Sequence, residues 1–180
     1  MTKRLRLYIG FITLIGVIMI LFTYNWDKTE SISELIFFLV LSIIAESLAI
    51  PTPDKKGVIS VGFVINLTVL LIMGLPQAIW ISSLGVIFRI VNMQGKLFHI
   101  LNMPLYKTLF NGANIALSTG LAGICYEALG GVPGQLQLTD IFPLVGSIVV
   151  YILVNAIIMS ILMTILSGEN LPKLLYTNLI

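Results

Sequence analysis

Charge is what this chain has least of. Only 10% of its 180 residues are charged, whereas a soluble domain of ordinary composition carries about 25%, because its surface must face water. Too little charge is present to cover a globule. With 58% hydrophobic residues and a mean hydropathy of +1.05, much of the surface must be solvated by lipid, and the composition reads as a polytopic membrane protein. The net charge of +2, from dispersed lysines and arginines, gives no basic face for a nucleic acid, so none is expected as a partner. A lone cysteine, Cys125, excludes an internal disulfide, and its apolar surroundings predict a buried, inert thiol. A lone histidine, His99, has no companion at metal-ligand spacing. Aspartate occurs only at Asp27, Asp54 and Asp140, all in connections. No glycine-rich phosphate loop, Ser/His/Asp set or paired-cysteine motif is present. No catalytic site, metal or cofactor is therefore expected in this chain.

Long apolar runs are abundant. The first, Leu7–Tyr24, follows a basic start but exceeds the roughly 7–15 residues of a signal-peptide core, so it reads as a retained span. Ile32–Ile50, Tyr106–Leu129 and Ile141–Leu166 are also of spanning length. The run Val58–Val91 is about 50 Å long as a helix, too long for one crossing of a ~30 Å core and short for two. A Gly74-Leu75-Pro76 sequence near its middle marks a turn or a helix start. Divided there into Val58–Met73 and Pro76–Val91, the chain is an all-α bundle of six transmembrane helices with a tight hairpin between the third and fourth.

Charge supports that division. Six spans place Lys3, Arg4, Arg6, Lys55, Lys56, Arg89, Lys96, Lys107 and Lys173 on one side and Lys28 alone on the other, which the positive-inside rule makes cytoplasmic for both termini. Tyr24, Trp26 and Tyr126 fall at the predicted interfaces as aromatic anchors. In the long inner connection Asn92–Lys107, Leu97, Phe98, Ile100 and Leu101 are expected to lie on the inner leaflet with Lys96 and Lys107 toward the headgroups. Residues 1–180 read as a single integral membrane domain without an internal repeat. Leu171–Ile180 resembles the start of another apolar or interfacial segment, which implies truncation before a further segment or output domain.

Polar residues inside the spans are the candidate site. A carboxylate at mid-membrane costs roughly 2.5–3.5 kcal/mol. Glu46 lies about one turn from the inner end of the second span, whereas Glu34 suits a helix N-terminus and Glu127 ends the fifth span. Asn66, Asn111, Asn114 and Asn155 fall in the inner half or near the middle, at the depth of Glu46. Asn111, Asn114 and Ser118 make one polar stripe at i, i+3, i+7. Two readings are open: interhelical hydrogen bonds, at about 0.6 kcal/mol each, or a polar cavity that binds a ligand with Glu46 as its charged side. Gly112, Ala116 and Gly120 recur every four positions, a small-xxx-small row that predicts a closely packed central fifth helix.

The stretches "ESLAIPTPDKKGVISVGFVINLTVLLIMGLPQAIWISSLGVIF", "LYKTLFNGANIALSTGLAGICYEALGG" and "VYILVNAIIMSILMTI" resemble a bacterial multi-span membrane module. That module lies N-terminal in signalling proteins with HD-type (HD-GYP) phosphohydrolase or GGDEF diguanylate cyclase domains. The resemblance covers roughly residues 30–170 and carries over to Glu46, Pro51, Asn66, Pro76, Asn111 and Asn155. It implies a sensor in the bacterial cytoplasmic membrane, whose partners are the lipid bilayer, a cytoplasmic output domain or protein, a small-molecule ligand and a second copy of the chain. No HD pair or GGDEF motif is present here, so the output activity does not carry over. Six short spans with a glycine-rich fifth also resemble the substrate-binding S-component of energy-coupling-factor vitamin transporters. A structural membrane anchor is the third alternative.

Overall fold

The structure, a computed structural model, describes residues 1–23, 31–48, 50–51, 58–59, 61–93, 95–135 and 137–179. Among them are seven helices: α1 (Lys3–Phe22), α2 (Ile32–Ser47), α3 (Gly62–Met73), α4 (Leu75–Phe88), α5 (Leu105–Ala128), α6 (Ile141–Ser167) and α7 (Leu171–Leu179). Two antiparallel ribbons accompany them, β1 (Ile50–Pro51) with β2 (Val58–Ile59), and β3 (Val91–Met93) with β4 (Lys96–Phe98). The fold is all-α in class, with the ribbons confined to two connections. Tyr24, Trp26, Asp27, Lys28, Asp54, Lys55 and Lys56 lie outside the described residues.

Local chemistry sets the helix ends. Thr2 caps α1 by accepting from the Leu5 amide at 3.4 Å. Gly74, at φ 97°, lets α3 stop and α4 begin at one residue, and its amide donates to Leu70 O at 3.1 Å. Pro76 then occupies the first turn of α4, where a missing N–H leaves no bond unmade. Gly168, at φ 73°, closes α6 in the left-handed conformation.

Close contacts give the directions of the helices. Gly16 of α1 meets Ala113 of α5 while Met19 meets Gly120, so α1 and α5 run parallel. Gly112 meets Ile87 and Gly123 meets Leu75, so α4 and α5 are antiparallel. Gly62 lies against Glu46 and Asn66 bonds Ser42, making α2 and α3 antiparallel. Cys125 and Leu129 lie near Gly146, which sets α6 antiparallel to α5. One end, here called basal, therefore carries the starts of α1, α3 and α5, the ends of α2, α4 and α6, and both ribbons. The α3–α4 turn and the α5–α6 connection are at the other, distal end. α4 and α5 form the centre, with α1 and α6 packed on α5 and α2 and α3 on α4.

The bundle is apolar outside and carries many polar groups within an otherwise apolar interior. Ser42, Glu46, Asn66, Ser82, Ser83, Asn114, Ser118, Thr119, Ser147 and Ser160 are buried, while Leu7, Phe11, Leu14, Ile36, Phe37, Val40, Val145 and Val149 are exposed. That exterior differs from a water-soluble globule's and fits a lipid surround.

The hairpin between the third and fourth helices is present at Gly74. Its arms have 12 and 14 residues, about 18 and 21 Å of helix, each less than a ~30 Å hydrocarbon core. Among the described residues, only α1 and the segment Leu138–Ser167 pass as spans by length and apolarity, while α5, at 24 residues, is long enough but too polar.

Several expectations need correction. The β-branched stretch Val58–Asn66, whose helical character the sequence leaves open, holds a strand at Val58–Ile59 and is helical from Gly62. The connection Asn92–Lys107 holds a strand ribbon, a turn and the first residues of α5, with Leu97 and Leu101 exposed and Phe98 and Ile100 half-buried. Gly112 and Gly120 do not share one edge. Four-residue steps drift around the helix, so Gly112 faces α4 and Gly120 faces α1. A repeat also exists in the architecture: helix–ribbon–helix occurs as α2–β1–β2–α3 and again as α4–β3–β4–α5.

Candidate functional site

Three helices bring matched pairs of residues, four apart, to the basal end: Ser42 and Glu46 on α2, Gly62 and Asn66 on α3, Gly85 and Arg89 on and just beyond α4. Residues four apart stack on one helix face, so each pair forms a short vertical row. The two glycines hold the rows together. A Cβ on Gly62 would collide with the Glu46 carboxylate, and one on Gly85 with the Ser42 hydroxyl.

At the upper level of this junction, Arg89 Nη1 lies 3.6 Å from Glu46 Oε2, with the two side chains 16% and 3% exposed. One level deeper, Ser42 Oγ donates to Asn66 Oδ1 at 3.5 Å, and Asn66 Nδ2 donates to the Tyr151 hydroxyl of α6, also at 3.5 Å. The Tyr151 ring packs against Phe63, centroids 6.3 Å apart. Beside the ion pair, the Ile90 amide donates to Ser47 Oγ at 2.9 Å. Two polar links that share α2 thus tie α2, α3, α6 and the end of α4 together where both ribbons leave the bundle.

The energetics of such a junction are asymmetric. A buried ion pair adds little net stability, because desolvation offsets its attraction, but removing one partner leaves an uncompensated charge. In lipid the penalty has no water to soften it. The arrangement suits a contact that holds two helices in one register and is costly to half-open.

A family model for a membrane-associated sensor domain, MASE9, matches residues 2–179. The chain belongs to the MASE9 family. No curated protein and no solved structure matches it. A MASE9 domain is a membrane sensor module, the coarser part of the resemblance drawn from sequence.

Within this MASE9 domain the five candidate residues separate into two sets. Glu46 and Asn66 meet in the junction. Asn114 is buried on α5, its Oδ1 without a hydrogen-bond partner among the described residues, and Ser118 Oγ donates to its carbonyl at 2.8 Å. Asn111 on α5 and Asn155 on α6 are half-buried. The central α4 stands between α2 and α5, so α5 does not bring its asparagines to Glu46. Cys125 is half-buried rather than buried. Tyr126, expected at an interface, is 0% exposed. Glu127 lies in the last turn of α5 and Glu34 in the first turn of α2, both where the sequence put them.

Sequence reasoning passed over Ser42, Gly62, Gly85, Arg89 and Tyr151. Arg89 entered only as a topological charge. A signal was available: an arginine closing one apolar helix at the depth of a glutamate closing another calls for pairing. Equal spacings in S-x-x-x-E, G-x-x-x-N and G-x-x-x-R carry the rest.

Proposed function

We propose that the chain is the sensory module of a bacterial signal-transduction protein whose output domain is an HD-type phosphohydrolase or a diguanylate cyclase. In this reading the module is one membrane domain that crosses the cytoplasmic membrane six times, with α3 and α4 as a short central hairpin and both termini cytoplasmic. The catalytic site belongs to the output domain and not to this chain. The stimulus is a small apolar or amphipathic ligand, or the state of the membrane. It acts by redistributing contacts at the polar set Glu46, Asn66, Asn111, Asn114 and Asn155, and the resulting helix shift passes to the cytoplasmic partner.

The observation that supports this most is the Glu46–Arg89 contact, placed where α2 and α4 give way to the two ribbons. A contact of that kind biases two helix arrangements against each other, which is what a transmitting element requires. The test replaces both charges at once. Glu46→Gln with Arg89→Gln leaves no orphan charge, so folding is retained to within about 1 kcal/mol, while output activity of the full-length protein in membrane vesicles changes severalfold and its response to stimulus is lost. Unchanged output and response would reduce the chain to a structural anchor. Co-purification with a transporter ATPase pair, together with uptake lost on deletion, would replace the sensor reading by a transport subunit.

A further inference from the structure

Hydroxyls inside this bundle mostly satisfy themselves on their own helix. Ser82 and Ser83 donate to Ile79 O, Ser118 to Asn114 O and Ser147 to Leu144 O, as serine and threonine do when no better partner exists. Thr108 Oγ1, Asn114 Oδ1 and Thr164 Oγ1 are buried without a partner among the described residues, and three further such groups lie toward the distal end. Tyr126 OH, Thr119 Oγ1 and Gln77 Oε1 are each buried without a hydrogen-bond partner among the described residues. Tyr126 is 0%, Thr119 0% and Gln77 8% exposed.

Two of these groups share a seam. Thr119, Gly123 and Tyr126 follow i, i+4, i+7 on α5, which is one face of the helix. That face packs on the α3–α4 turn, since a Cβ on Gly123 would stand 2.5 Å from Leu75 Cδ1 and 2.8 Å from Leu70 Cδ1. Gln77 lies on the first turn of α4, directly after that turn. Leu70, Met73 and Ala78 make the rest of the cluster around Tyr126 apolar.

Over Tyr126 lies a strap of chain, Gly130–Gln135. Gly131 rests on the ring so closely that a Cβ there would collide with its hydroxyl-bearing end. The strap is fastened by three backbone bonds, Gly130 N to Glu127 O at 3.0 Å, Gly131 N to Tyr126 O at 3.0 Å and Gly134 N to Leu71 O at 2.7 Å. Gly130 and Gly134 adopt φ 94° and 79°, conformations that glycine reaches without strain. A few backbone bonds at a glycine-rich exposed loop are the kind that open locally.

We infer that this distal seam is the input site of the module, where a neutral amphiphile reaches the Tyr126 hydroxyl and the Gln77 carboxamide once the Gly130–Gln135 strap lifts. The ligand class follows from the surroundings. The seam is apolar, so the body of the ligand is apolar. Gln77 Oε1 needs a donor and the Tyr126 hydroxyl both donates and accepts, so the ligand carries a hydroxyl or amide. A charge is costly to bury among Leu70, Met73 and Ala78, and the Asp140 carboxylate, near enough to act on Tyr126, repels an anion, so the ligand is uncharged. The inference deepens the sensor reading by locating its stimulus, and it rests on that reading.

The test measures binding directly on the full-length protein in nanodiscs, with 1-decanol as the probe and decane as the control without the hydroxyl. The expected result is a thermal midpoint raised by 1-decanol and not by decane, with slower hydrogen exchange at the Gly131 and Gly134 amides. Tyr126→Phe loses no hydrogen bond to the described residues, so it folds normally and its midpoint no longer responds. Gln77→Leu weakens the response in the same direction. Equal shifts with decane, an undiminished response in Tyr126→Phe, or no response of the wild type to 1-decanol would each overturn the site while leaving the sensor reading standing. Binding as expected with no change in output activity would instead sink the sensor reading and leave the site.

Discussion

Position 46 holds a carboxylate away from both water and lipid, and the effect of altering it depends on what is left beside it. Glu46→Gln alone strands Arg89, whose side chain is 16% exposed, and should cost about 3–5 kcal/mol. Adding Arg89→Gln should return most of that loss, a difference that chemical denaturation in detergent reads as a double-mutant cycle. Tyr126→Phe should have the opposite sign. Its hydroxyl has no partner among the described residues, so its removal should leave stability unchanged or raise it by about 1 kcal/mol. Glu46 and Asn66 were legible in the sequence because polar groups are expensive in an apolar run. Their partners were not: Ser42 and Tyr151 are unremarkable residues in apolar helices, and only the crossing of α2, α3 and α6 gives them roles.

Among the elements, α1 offers an internal comparison. Gly16 approaches α5 until a Cβ would stand 2.7 Å from the Ala113 Cα, whereas nothing lies within 4 Å of a Cβ on Gly10. Backbone cannot yield as a side-chain tip can, so Gly16→Ala should destabilise by about 1–3 kcal/mol. Gly10→Ala should stabilise by about 0.5–1 kcal/mol through helix propensity alone. Thermal unfolding of the two variants side by side checks both signs. The turn at Gly74 could be read in advance, because a glycine and a proline interrupt an apolar run too long for one crossing. The ribbons could not, since strands of two and three residues are too short to display alternation. The lengths of α3 and α4 were overestimated for the same reason: apolarity continues through Val58 and Ile59 into a strand.

For the whole molecule, the decisive feature is an exterior of exposed leucine, isoleucine and phenylalanine around a core seeded with serine, asparagine and one ion pair. Composition announced this, whereas the arrangement of α1, α2, α3 and α6 about α4 and α5 needed contacts that no single sequence displays. If the basal end is cytoplasmic, Lys3→Cys should resist and Gln135→Cys should accept a membrane-impermeant thiol reagent in intact cells. The opposite pattern would invert the orientation, and equal labelling would break the six-span count. The central claim is that the polar junction transmits the sensed state to an output domain. Its most direct test is the output activity of the full-length protein in membrane vesicles, wild type against Glu46→Gln/Arg89→Gln, at matched thermal stability. A severalfold change in output with loss of response is the predicted result. Wild-type output and response in the doubly substituted protein would contradict it.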